Sequence, residues 1–255
     1  MATFVKILIF VLTVAIISAS MAFSTQRLEK VKCDEVQVLI PASSPRIINE
    51  EEIGRLIGKL DGGLLQRPLY QINTEEVERG LEKNSSVKNA EVFRQFTVEN
   101  HQVKGKLVVE VEQRQPLFRV LTGKEDYYMD EEGVRIDANG QFTARVPIVT
   151  GLVDEQFARG RLVPLIRYID GDEFWKVQIQ QLHVVEEDEL QMVPLVGDQL
   201  VEFGEPEDYL KKLRNLKALY EQGFAETGWA RYDTINLKFE NQIVCSKIEE
   251  NGQRQ

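Results

Sequence analysis

The chain has 255 residues and a formal charge of −10, with 43% apolar and 28% charged residues. That balance belongs to one large globular domain or two modest ones, and it excludes disorder and collagen-like repeats. An acidic chain repels phosphate backbones, and its two cysteines (Cys33, Cys245) make neither a disulfide framework nor a zinc pattern; its two histidines (His101, His183) leave little imidazole chemistry.

Charge is unevenly placed. Residues 1–32 hold Lys6, Arg27, Lys30 and Lys32 against Glu29, a net of +3, so the remainder carries −13. From Ile7 to Phe23 no residue is charged. With Phe4 and Val5, and with Lys6 reaching the headgroups, residues 4–23 match the roughly 20 apolar residues of a membrane-spanning helix. Ser20-Met21-Ala22 also fits a cleavage site of an export signal, although the apolar run exceeds the usual h-region of about 7–15 residues. The expectation carried forward is a transmembrane anchor with a short cytoplasmic tip and stalk over 1–32. Either reading sends residues 33–255 out of the cytoplasm.

Glu35 to Ile40 alternates and reads as a strand, with Val36, Val38 and Ile40 on one face. Asn49 followed by Glu52 is a capping box, and the Glu50–Glu52 run suits a helix N-terminus better than a metal site. Ile53, Leu56, Ile57 and Leu60 continue at helical spacing until Gly62-Gly63. A second helix opens at Asn73 or Thr74 and buries Val77 and Leu81. Strands follow over Val87–Val98 and Lys104–Glu112, joined by a tip carrying His101.

Leu117 to Val120 extends beyond Pro116. Tyr127-Tyr128-Met129 and Val134-Arg135-Ile136 flank the turn Asp130-Glu131-Glu132-Gly133, which lacks the spaced ligands of a calcium loop. Val146 to Gly151 is extended, and a helix is expected over about Leu162–Ile169. Strands are expected over Trp175–Val185, Leu190–Val196 and Gln199–Phe203. A helix begins at Pro206-Glu207-Asp208 with a Tyr209, Leu213, Leu216, Tyr220 stripe facing the sheet and Lys211, Lys212, Arg214 and Lys217 facing out. Tyr232–Phe239 and Gln242–Ile248 form a last hairpin, and a disordered tail is expected over 249–255.

The β-α-α-β-β order resembles a POTRA domain, a protein-binding module. Further motifs, in order, resemble the FtsQ/DivIB family of bacterial cell-division proteins. Val109 to Pro116 is similar to its "VxExxP" joint, and Tyr127 to Gly133 to its "Y-[LV]-D-x-x-G" hairpin. Val146 to Gly151 is similar to "LPxxxG", and Val201-Glu202-Phe203-Gly204 to "VxLG". Tyr232 to Phe239 is similar to the "VDLRY" strand, except that Asn236 stands where aspartate is usual.

The resemblance implies an α+β protein: an N-terminal transmembrane helix, a βααββ POTRA domain over 33–115, then a mostly antiparallel β-domain with flanking helices over 116–248. It implies a single-pass protein of the bacterial cytoplasmic membrane, with its C-terminal domain outside, at the division septum. Its role would be a non-enzymatic scaffold binding the bitopic coiled-coil pair FtsB/DivIC and FtsL, linking early and late division proteins and helping control septal peptidoglycan synthesis. The partner-binding residues carried over are Phe239, Gln242, Ile243, Val244, Cys245, Ser246 and Lys247, at a sheet edge that takes a strand from FtsB/DivIC. Ile243 and Cys245 would share one face, Val244 and Ser246 the other. No catalytic residue, metal or cofactor is expected. A Cys33–Cys245 disulfide is conceivable outside the cytoplasm. Two other classes remain: a POTRA-containing outer-membrane assembly or secretion component, and an anchored envelope enzyme, for which the sequence offers no G-x-S-x-G or H-E-x-x-H.

Overall fold

The computed structural model describes residues 7, 9–20, 30–100, 102–186, 188–197, 199–224, 228, 231–240 and 242–247. The His101 tip and the 249–255 tail lie outside them. The chain divides into two compact units, residues 1–113 and 114–255.

The head departs from expectation. Its described helical residues fall within 7–20. At 1.5 Å per residue such a stretch reaches about 20 Å, against a hydrocarbon core of about 30 Å. No described helix is long and apolar enough to cross a membrane. The expected transmembrane helix over 4–23 is therefore corrected: among the described residues the apolar composition is present without a helix of spanning length, and residues 4–6, 8 and 21–23 of that expectation lie outside them.

In the first unit, β1 (Cys33–Leu39), α1 (Glu50–Leu60), α2 (Thr74–Leu81), β2 (Val87–Glu99) and β3 (Gln102–Gln113) follow in that order. The sheet order is β1-β3-β2, with β1 parallel and β2 antiparallel to β3. Both helices start on asparagine caps. Asn49 Oδ1 accepts from the Glu52 amide at 2.8 Å and Asn73 Oδ1 from the Glu76 amide at 3.2 Å. Each removes one of the amides left unpaired by helix geometry. Ile53 and Ile57 from α1 and Val77 and Leu81 from α2 pack on Leu107, Val109 and Val111 of β3.

Buried Gln113 ties the end of β3 to the loop before α1. Its Oε1 accepts from the Ile47 amide at 2.8 Å and the Ile48 amide at 3.0 Å, while its Nε2 donates to Ile48 O at 2.7 Å. A side-chain amide is needed here because it offers an acceptor and a donor together.

The second unit holds β4 (Pro116–Leu121), β5 (Asp126–Asp130), β6 (Arg135–Asp137), β7 (Ile148–Gly151), β8 (Ile179–Val184), β9 (Leu190–Pro194), β10 (Leu200–Gly204), β11 (Tyr232–Asn236) and β12 (Val244–Lys247). They form one sheet in the order β12-β11-β10-β9-β8-β7-β4-β5-β6. Five pairings are antiparallel, and three (β10–β11, β7–β8 and β4–β7) are parallel.

Its longer α-helices are α3 (Val163–Gly171), with Pro164 in its first turn, α4 (Glu173–Gln178) and α5 (Tyr209–Ala218); short helical segments over Glu155–Leu162 and Leu219–Gly223 adjoin α3 and α5. The expected strand from Trp175 is corrected. Asp172 Oδ1 accepts from the Phe174 and Trp175 amides at 2.9 and 3.1 Å, starting α4, and the strand begins only at Ile179. Trp175 is buried beside Phe174 and Tyr220, with ring centroids 4.8 and 6.2 Å away.

Two motif glycines have backbone reasons. Gly133 adopts φ +75° in the turn after β5, where the Asp130 carboxylate accepts from the Glu132 and Val134 amides at 2.9 and 2.7 Å. Gly151 adopts φ +93°, and a Cβ there would sit 2.1 Å from Val184 O. Only glycine tolerates both demands.

The Gln113 network gives a stability test. Gln113→Leu strands two buried amides and a carbonyl, so the first unit should lose about 3 kcal/mol, measured by urea denaturation of the full chain. Gln113→Glu, which keeps the acceptor, should lose less.

Candidate partner-binding edge

The last hairpin sits on the sheet through β11. Leu200, Val201 and Glu202 of β10 pair in parallel with Thr234, Ile235 and Asn236, and the Leu237 amide donates to Glu202 O at 2.9 Å. Ile235 and Leu237 are buried in the core. Antiparallel β12 then pairs Val244 with Asn236, Cys245 with Ile235 and Ser246 with Thr234.

β12 is the terminal strand, so one side of its backbone faces no strand among the described residues. Ile243 and Cys245 pack partly against the core. Val244, Ser246 and Lys247 are exposed, as are Gln242 and Phe239. Half of the Phe239 surface and 41% of that of Val244 are open. Of the residues named from sequence, only Val244–Lys247 lie in the strand. Gln242 and Ile243 lead into it, and Phe239 stands on the turn after β11.

A cleft of about 240 Å³ opens beside this edge, lined by Phe239, Gln242 and Ile243 and by Lys211 and Lys212 of α5. Lys212 does not face out as its sequence position indicates. Its Nζ donates to Phe203 O at 3.0 Å and Glu205 O at 2.6 Å and lies 5.0 Å from the Phe203 ring centre. Burial pushes its pKa below the ordinary lysine value. The residue ties the start of α5 to the end of β10, a role that helical spacing does not reveal because the carbonyls lie on another element.

Asn236 has a definite task. Its Nδ2 donates to Glu202 Oε2 at 2.5 Å and its Oδ1 accepts from the Lys238 amide at 2.9 Å. An aspartate would supply the acceptor but not the donor, and would face the Glu202 carboxylate.

Burial raises the thiol pKa of both Cys245 and Cys33, which disfavours the nucleophilic thiolate. Both cysteines are free in the structure. His183 Nδ1 is 2.8 Å from Thr150 Oγ1 on the neighbouring strand β7. Among the described residues, no three His, Cys, Asp or Glu side chains group to hold a metal. What the edge offers is backbone pairing and apolar contact.

A family model described as FtsQ/DivIB, C-terminal related, matches residues 115–246. A POTRA-like domain model matches residues 31–104. No curated protein matches the chain.

Replacing Asn236 tests the junction. Asn236→Asp sets two carboxylates face to face, so stability near neutral pH should fall by about 1–2 kcal/mol. The repulsion raises the folded-state pKa of the pair above its unfolded value. The native state then binds the extra proton as pH drops, and the deficit should shrink through the acid range. Thermal denaturation of both proteins at a series of pH values reads this out.

Proposed function

The FtsQ/DivIB match spans just over half of the chain, so the protein belongs to that family, and we propose that it recruits the coiled-coil pair FtsB/DivIC and FtsL by taking a strand from FtsB/DivIC onto β12. Family membership places it among cell-division scaffolds, with division proteins as partners. The finer assignment is supported by one observation above others: β12 ends a nine-stranded sheet, and its outer edge faces no strand among the described residues. A strand added there gains backbone hydrogen bonds, and alternate side chains read the sequence. Val244 and Ser246 offer one face, and Phe239 and the adjoining cleft receive apolar groups near the strand's start.

In this reading residues 33–247 work outside the cytoplasm at the septum. They hold the partner pair and so link early and late division proteins and help control septal peptidoglycan synthesis. Binding is the whole activity; no bond is made or broken. A POTRA-like domain alone would equally serve an outer-membrane assembly or secretion component, but the C-terminal match favours division.

The reading is tested with Ile243→Pro. Proline removes an amide donor at the start of the edge strand, a position that sheets tolerate. Affinity for the extracytoplasmic part of the FtsB/DivIC–FtsL pair should fall by at least about tenfold, or 1.4 kcal/mol, with the circular dichroism spectrum retained. A folded variant that binds as tightly as the parent would rule the edge out.

A further inference from the structure

The first unit also has an open sheet edge, and its chemistry differs. The order β1-β3-β2 leaves β1 at one side. Its first residue is covered: the Cys33 amide donates to Arg67 O at 2.9 Å and Cys33 O accepts from the Gln66 amide at 2.8 Å. Beyond it, residues 34–39 make no backbone–backbone hydrogen bond away from β3 among the described residues, and Glu35 O accepts from the Cys33 thiol at 3.4 Å.

A groove of about 620 Å³ runs between this strand and α1. Val36 and Val38 form one wall, and buried Ile57 and Leu64 lie at its base. Leu65, 57% exposed, stands at one end. The opposite wall carries Gly54 and Gly58, one turn apart on α1.

Those glycines are costly without an evident internal cause. Glycine inside a helix costs roughly 0.5–1 kcal/mol relative to alanine. Gly80 of α2 has a packing reason, because a Cβ there would lie 2.5 Å from Leu60. A Cβ at Gly54 or Gly58 would meet nothing within 4 Å. The bare wall keeps the groove wide enough for another backbone to lie beside β1.

Charge narrows the occupant. The groove is lined by Asp34, Glu35, Glu50, Glu51 and Asp61 and by no lysine or arginine. Lys106 pairs with Glu35 at 3.1 Å, and Arg67 pairs with Asp61. Asp34 Oδ2 accepts from the Gly105 amide at 3.1 Å and interacts with the Lys104 charge, whereas Glu50 and Glu51 have no ion pair among the described residues, which leaves the α1 side of the rim negative.

We propose that this groove binds an extended, basic segment of a partner protein, which adds to β1 as a fourth strand with small apolar side chains towards α1 and lysines or arginines at the rim. The site belongs to a different unit from β12, so it stands or falls independently of the division partner assigned above.

The test uses the full chain with labelled isoleucine and valine methyl groups. The probe is a blocked peptide of about seven residues, enough for one strand, alternating valine and lysine, with its valine–glutamate counterpart as control. The lysine peptide should move the methyl signals of Val36, Val38 and Ile57 and leave those of Ile243 and Val244 in place. The glutamate peptide should bind at least about tenfold more weakly, and added salt should weaken the lysine peptide. Gly58→Leu and Gly54→Leu fill the groove from an open helix face; each should abolish the shifts without lowering the melting temperature. Equal response to both peptides, shifts centred on another edge, or unchanged binding in whichever leucine variant stays folded would overturn the proposal.

Discussion

The candidate partner edge depends on the parallel pairing of β10 with β11. A two-stranded hairpin is at best marginally stable by itself, so β12 is a presentable edge only because β11 is fixed behind it. Three paired positions, from Leu200↔Thr234 to Glu202↔Asn236, set that register, and Leu237 extends it through its amide to Glu202 O. A parallel pair needs a long crossover. Here α5 supplies part of it, burying Leu213 and Leu216 in the same core as Ile235. Lys212 ties α5 to the end of β10 from the other side. A slip of one residue in β11 would exchange the faces of both last strands, turning Ile235 and Cys245 outward.

Local signals carry the elements that were legible in sequence. Asn49 and Asn73 cap the helices they precede, because a capping side chain acts within three residues. The Asp130–Gly133 turn closes on its own amides. Alternation also separates Ile243 and Cys245 from Val244 and Ser246. What failed was set by length or by distant contacts. Apolar composition over 4–23 does not measure helix length. Trp175-Lys176-Val177 alternates like a strand, yet the Asp172 cap and the Trp175–Tyr220 packing make it helix. The nine-strand order joins β4 to β7 past the β5–β6 hairpin and β10 to β11 across α5, and no local pattern encodes that.

Both units end a sheet in an edge that pairs with no further strand among the described residues, but the side chains around the two edges differ. Around β12 lie Phe239 and Val244, exposed apolar groups that favour a strand with apolar side chains. Around β1 the carboxylates and the bare glycine wall favour a basic strand.

A partner strand on β12 would lie within reach of position 244, where in-cell photocrosslinking can capture it. The residue there is exposed in the middle of the candidate surface. The expected adduct is with a small, single-pass coiled-coil division protein, identified by mass spectrometry of the crosslinked band. An adduct with an outer-membrane assembly component, or no adduct from a folded protein, would contradict it.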